Sequence, residues 1–440
     1  MSDKISEEIE DSLIKKIIDS ITITDEGKVS YKGPNRILTI SREIDILSSI
    51  LQEKTDFFKE IKTKRYFVPP KTIIGLGEFI EIFKKLKKDN KSSFDDFKSE
   101  LNNRINEIAK MPKEEFTLVY PLNFKFPKKV DSEINEDKFE ILSFEDFSSR
   151  FFDVRQKIQE AEANRDIQAK FQFLSLKEVC NDKFSFFIIK VYARNMYFSI
   201  EYATERLLCV LGLMTFAKYR GQEGITIVGR ASKQSNLSLS KVLIFKAEDF
   251  KYFDFNEQIT SFEEISEANI DNFFRLLQSY NEIKRLYILK ILERALISYY
   301  EASIDDDIAY SFLKYWICIE LCLLKSEGIT ENEIIKRLKS MLIEEDEYLK
   351  IRIDWLYRKR NNLVHQLNMD ISQFDRNLIK LISESLIDFL LIYGNRFPNN
   401  VELNLFYKFL QENNESLSID KKVIDSIIAF RKSLEITINP

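Results

Sequence analysis

Glycine and proline are scarce: the 440 residues hold 10 and 8 of them, where ordinary usage of about 7% and 5% would supply roughly fifty. A fold that depends on many tight turns is disfavoured, and long helices joined by polar connections suit the composition. Glycine-rich phosphate loops are missing too. The stretch from Gly221 to Gly229 has no Gly-Lys-Ser/Thr ending, and Gly75-Leu-Gly77-Glu-Phe-Ile80 lacks a third glycine and reads as a turn. Histidine occurs once, at His365, and the four cysteines, Cys180, Cys209, Cys318 and Cys322, form no CxxC pair. Zinc ribbons and zinc fingers are excluded by ligand count and spacing. Cys318 and Cys322 lie four apart in an apolar run and read as buried reduced thiols, which fits a reducing cytoplasm.

No apolar run is long enough to span a bilayer, the longest being Leu207 to Ala217. The opening Met1-Ser-Asp-Lys-Ile-Ser-Glu-Glu is acidic and lacks the basic-then-apolar layout of a secretory leader. A cytoplasmic protein without membrane contact is expected. The net charge of -5 provides no global basic field, so nucleic-acid contact requires a local basic patch.

Apolar residues make up 44% and charged residues 31%, which excludes disorder over the whole chain. No repeat of 20 to 50 residues is visible, so solenoids and propellers drop out. The length suits two or three compact units, and the texture changes along it. Residues 1–112 read as a helical N-terminal region, with helices over Ile44 to Lys62 and Phe79 to Lys88 and a break at Val68-Pro69-Pro70. Residues 113–260 read as α+β. Their short β-branched and aromatic runs, Phe116 to Tyr120, Phe184 to Tyr192, Ile225 to Val228 and Val242 to Phe245, suit strands. Between them Tyr202 to Lys218 has a helical texture that ends at Gly221.

Residues 261–440 follow the helical period and suit an antiparallel bundle. The stripes are Leu289, Leu292, Leu296 and Tyr299; then Phe312, Tyr315, Ile319 and Cys322; then Leu349, Ile353 and Leu356; then Ile379, Ile382, Leu386, Phe389 and Tyr393, capped by Gly394. Shorter helices are expected near Glu402 to Gln411 and Lys421 to Lys432. The fold class is α+β, predominantly α, with the first two regions forming a regulatory part and the third a helical bundle.

Continuing the third stripe by steps of three and four leads from Leu356 to Arg360 and Leu363. A guanidinium at a core-facing position must meet a carboxylate, lie in a solvated cleft or serve an anionic ligand. Glu320, stranded in Trp316-Ile-Cys-Ile-Glu320-Leu-Cys-Leu-Leu324, is the partner on offer. Five residues after Arg360 stands His365, four after Asn361 and on its helical face. The long Arg360 side chain is expected to reach round to the same pocket. Imidazole moves protons near neutrality and guanidinium grips phosphate, a combination suited to phosphodiester chemistry.

Arg360-Asn361-x-x-x-His365 resembles the R-polar-x(3)-H signature of HEPN domains, helical bundles that carry it at the end of the third core helix. Asp305-Asp-Asp307 leading into Phe312 to Glu320, then Ile335-Lys-Arg-Leu338, then Trp355 to His365, is similar to the ApeA-like HEPN branch over roughly residues 270–397. The stretch from Val191-Tyr-Ala-Arg194 to Phe216 has a softer likeness to regions that accompany such domains.

The resemblance implies a metal-independent endoribonuclease with no cofactor. In it the ribose 2'-hydroxyl attacks the adjacent phosphorus. His365 would be general base or acid, Arg360 would stabilise the phosphorane, and Asn361 would orient substrate or imidazole. It implies a homodimer through the C-terminal bundle, which supplies a second imidazole. It also implies a role in prokaryotic defence against phage, as an abortive-infection toxin restrained by the N-terminal region, where a phage component or nucleotide signal would act. Arg358 also precedes His365 within looser spacing but lacks the small polar residue after it; Arg358 and Lys359 would instead grip flanking phosphates of the RNA.

Plainer readings stand beside these. A histidine near a helix end often serves as a dipole partner, and the Arg360–Glu320 pair suits a purely structural role. Asp305 to Asp307 suits a helix cap better than a metal site. Lys84-Lys-Leu-Lys-Lys88 suits a solvated helix face. The alternative function is a non-catalytic HEPN dimerisation module that binds RNA or protein.

Overall fold

A computed structural model describes residues 2–23, 29–31, 76–126, 129–151, 156, 182–221, 241–246, 249–254, 263–324, 329–341, 347–366, 370–412, 416, 418, 421, 422 and 425. The expected helix from Ile44 to Lys62, the break at Val68-Pro69-Pro70, the strand from Ile225 to Val228, Cys180 and most of Lys421 to Lys432 lie outside them. The described part is mostly helical, with a smaller β component. By the density of internal contacts the chain divides into two units. One comprises Met1–Leu118, Lys190–Ala203 and Leu243–Tyr252, the other Val119–Ile189, Thr204–Val242 and Phe253–Pro440.

The first unit contains α1 (Ser2–Ser20), a short antiparallel pair β1 (Ile21–Ile23) and β2 (Val29–Tyr31), α2 (Leu76–Lys88) and α3 (Phe94–Lys110). The amphipathic period builds its core: Ile14, Ile17 and Ile18 of α1 meet Phe79, Ile82 and Phe83 of α2 and Phe94 and Phe97 of α3. Phe83 stacks on Phe97 with centroids 5.3 Å apart. Ser93 caps α3 by accepting the Asp96 N–H at 3.1 Å. Leu76 and Gly77 lie in the first turn of α2, so Gly77 is helical rather than part of a separate turn, while Gly75 lies outside the described residues.

Further strands are β3 (Glu114–Leu122), β4 (Phe124–Lys125), β5 (Val130–Ile134), β6 (Asp137–Leu142), β7 (Ser185–Ala193), β8 (Lys241–Lys246), β9 (Asp249–Asp254) and β10 (Glu263–Glu264). Six of them run in the order β5-β6-β7-β3-β8-β9. β5 and β6 form an antiparallel hairpin in which Val130 faces Ile141. Its two-residue turn, Asn135-Glu136, has φ of 50° and 69°. Both residues lie in the left-handed region, as a type I′ turn requires.

The helices of the larger unit are α4 (Phe144–Arg150), most of α5 (Met196–Tyr219), α6 (Glu267–Asn281), α7 (Leu286–Ile304), α8 (Ile308–Cys322), α9 (Glu331–Ser340), α10 (Glu347–Gln366), α11 (Gln373–Tyr393) and α12 (Asn400–Phe409). Between Leu207 and Phe216 α5 is largely apolar, with Leu207, Val210, Leu211, Leu213 and Phe216 all buried. A Cβ at Gly212 would stand 2.5 Å from the Leu296 carbonyl oxygen, so only glycine allows α5 to approach α7 this closely. Gly221, at φ +69°, ends α5, and its N–H donates to Glu384 on α11 at 3.1 Å. Lys380 of α11 donates to the Tyr219 carbonyl at 2.8 Å.

Helices α7, α8 and α11 pack on one another and α10 packs on α8 and α9. Leu292, Leu296 and Tyr299 of α7, all four expected residues of α8, Ile353 and Leu356 of α10 and Ile379, Ile382 and Leu386 of α11 are buried. Gly394 is the C-cap of α11, as expected, but not in the left-handed conformation. Its φ is -55°, and it starts a 3-10 turn. It is needed for closeness instead, because a Cβ there would meet Ile288 Cγ2 at 2.7 Å.

Candidate active site

Helix α8 begins where Asp307 accepts the Ala309 and Tyr310 N–H groups, and Asp305 pairs with Lys314 at 2.7 Å. The acidic trio thus starts a helix. One face of α8 presents Phe312, Trp316 and Glu320 at steps of four. The Trp316 ring stacks on Tyr357 of α10, centroids 6.0 Å apart, and its indole N–H donates to Glu320 Oε1 at 3.0 Å.

Arg360 follows the buried stripe of α10 and is itself 8% exposed. Its Nη2 donates to Glu320 Oε1 at 3.1 Å, and its Nη1 donates to Glu331 Oε1 at 3.2 Å and to Asn361 Oδ1 at 3.0 Å. Nε is buried without a hydrogen-bond partner among the described residues. The other oxygen of Glu331 accepts from the Tyr357 hydroxyl at 2.6 Å. Burial and the Glu331 carboxylate raise the Tyr357 phenol above its ordinary range, so it keeps its proton and acts as donor.

The structure therefore joins Arg360, Asn361 and Glu320, and adds Glu331 and Tyr357, which the sequence reading missed. Tyr357 was within reach of that reading, since it lies three residues before Arg360 on one helical face. Glu331 follows the N-cap Thr330 of α9, a readable helix start, but nothing local aims it at Arg360.

His365 is placed otherwise. At 3.6 residues per turn it sits about 140° round the helix from Arg360. It is exposed in the last turn of α10, with no hydrogen bond or ion pair among the described residues. The guanidinium does not reach round to it as expected, because the two carboxylates hold it inward. Arg358 is exposed and likewise without an ion pair among the described residues. Lys359 turns to α11, donating to Asp375 at 2.8 Å and lying 4.2 Å from the Trp355 ring centroid. It is committed within the chain rather than extended into solvent.

Cys318 and Cys322 are buried free thiols, and burial pushes Cys318 well above its ordinary range. Among the described residues no group of three or more His, Cys, Asp or Glu side chains could hold a metal ion, and no helix is long and apolar enough to cross a membrane. Compared with known proteins, the chain matches no family model, no curated protein and no solved structure.

Proposed function

We propose that the chain is a metal-independent endoribonuclease resembling the HEPN family, acting as a homodimer through the C-terminal bundle, with RNA as substrate. One observation carries this reading: α10 holds an anion-binding guanidinium at Arg360 and an exposed, uncommitted imidazole at His365 within a turn and a half. The chemistry needs no further reactant. One imidazole takes the proton of the ribose 2'-hydroxyl, the oxygen attacks phosphorus, and the bond from phosphorus to the 5'-oxygen breaks. That oxygen receives a proton from a second imidazole, His365 of the partner subunit. The products are a 2',3'-cyclic phosphate and a 5'-hydroxyl, and Arg360 stabilises the charge that builds between them.

The exposed face of α10 supports the dimer. Ile351, Trp355, Arg358, Asn362 and His365 follow one another at steps of four and three, the spacing of a helix–helix seam. Ile351 and Trp355 are 65% and 41% exposed, apolar area that a second copy would cover while bringing two imidazoles to one axis. Asn361, beside Arg360, orients the substrate, and Arg358 grips a flanking phosphate. Restraint by the N-terminal region, release by a phage component or nucleotide, and a cytoplasmic defence role complete the reading.

One observation favours the second reading, a non-catalytic dimerisation and binding module: Arg360 is nearly buried and engaged by two carboxylates. Chelation separates metal-independent cleavage from the rest. Full-length protein incubated with total cellular RNA in excess EDTA should cut at its unchelated rate. Cleavage that stops on chelation contradicts the histidine mechanism, and an absence of cleavage under both conditions supports the binding module.

A further inference from the structure

Arg360, Glu320 and Glu331 together carry a formal charge of -1, one guanidinium between two carboxylates. A phosphodiester brings its own negative charge and is repelled by that set, so one carboxylate has to leave before the guanidinium can hold a phosphate. The two are not equivalent. The Glu320 side chain is 14% exposed and also takes the Trp316 indole N–H. The Glu331 side chain is 39% exposed, stands in the first turn of α9, and takes the Tyr357 hydroxyl on its far oxygen.

We propose that Glu331 is a built-in competitor of the substrate phosphate, occupying Nη1 of Arg360 until a phosphate of single-stranded RNA displaces it. The inference rests on the nuclease reading and adds its restraint. With Glu331 in place Nη1 is occupied and the chain rests. With Glu331 displaced, Nη1 and the adjacent Asn361 amide face the phosphate while Glu320 keeps the guanidinium planted. The Tyr357 hydroxyl is the latch that favours the closed arrangement.

The test is fluorescence anisotropy of the full-length protein with a fluorescein-labelled, single-stranded mixed-sequence RNA methylated at every 2'-oxygen, which it cannot cut. Glu331→Gln keeps the side chain's shape and removes its charge, and should tighten binding about tenfold at ~0.1 M salt. Tyr357→Phe leaves every charge and the start of α9 intact and removes the hydroxyl that holds Glu331 and also meets the Asn361 side chain; it should tighten binding a few-fold. Arg360→Ala should weaken binding. A merely structural Glu331 would instead leave binding unchanged or weaken it in both variants. That outcome, with Arg360→Ala still weakening the complex, overturns the competitor role and leaves the RNA reading standing. If wild type and Glu331→Gln both fail to bind, and Arg360→Ala changes nothing, the inference falls together with the nuclease reading.

Discussion

Replacing His365 by alanine should lower RNA cleavage by at least about a thousandfold while leaving the urea unfolding midpoint unchanged. The separation of effects comes from the geometry. His365 is exposed in the last turn of α10 and makes no hydrogen bond or ion pair among the described residues, so truncation leaves no cavity and no unpaired partner. A general acid or base contributes roughly 10²–10⁴ in rate, and in a twofold dimer one substitution removes both copies. Unchanged cleavage would transfer the assignment to the binding module. A large fall in the midpoint would make the histidine a structural residue. Initial rates on total RNA, with urea titrations of the same preparations, decide between these outcomes.

Asp375→Ala should be the most damaging single change near the site for folding, at about 3–5 kcal/mol. Asp375 is fully buried at the start of α11. One oxygen accepts from Arg352 at 3.1 Å; the other accepts from Lys359 at 2.8 Å and from the Ser372 hydroxyl and N–H at 2.6 and 3.0 Å. Alanine would remove the capping box and leave two largely buried cations facing each other.

Its pH dependence has a definite sign. Burial alone would raise the carboxyl, but the hydrogen bonds from Lys359 and Ser372 outweigh it and hold Asp375 below the usual carboxylate range. A carboxyl whose folded pKa is depressed stabilises the fold above its unfolded pKa, and that stability is lost as pH falls through the folded value. The midpoint gap between wild type and Asp375→Ala should therefore be widest near neutrality and narrow in acid. A gap under about 1 kcal/mol at pH 7, with the urea slope unchanged, would contradict the assigned role.

The triplet Arg358-Lys359-Arg360 shows both the reach of sequence reading and where it stops. Steps of three and four along α10 place Arg360 with Ile353 and Leu356 on the buried stripe, and Glu320, a carboxylate stranded in an apolar helix, is its partner. Those two facts follow from helical period and the cost of burying charge, which act locally. The same period also separates the three cations by about 100° each, so they do not form one basic patch. Arg358 faces solvent, Lys359 meets the start of α11, and Arg360 turns into the bundle. Where Lys359 goes depends on the position of Asp375, and that is set by helix packing.

Glu331 escaped for a related reason. It lies 29 residues before Arg360 on another helix, and only the packing of α9 on α10 joins them. The β5–β6 hairpin was missed because its turn is Asn135-Glu136: the asparagine suits a positive φ, but no glycine follows it. Strands such as β3 and β7 were legible because β-branched and aromatic side chains dominate their centres, Phe116 to Tyr120 and Phe186 to Tyr192.

The most direct measurement is the chemistry of the ends left on RNA. Fragments from the protein and total cellular RNA, made in EDTA, would be divided: one portion treated with a phosphatase that removes only linear phosphates, to read the 3' ends, and an untreated portion offered to polynucleotide kinase, to read the 5' ends. The expected result is a 2',3'-cyclic phosphate that resists the phosphatase and a 5'-hydroxyl that takes label directly. Fragments carrying a 5'-phosphate and a 3'-hydroxyl would show that water, not the ribose 2'-hydroxyl, attacked phosphorus, and would contradict the roles given to His365 and Arg360.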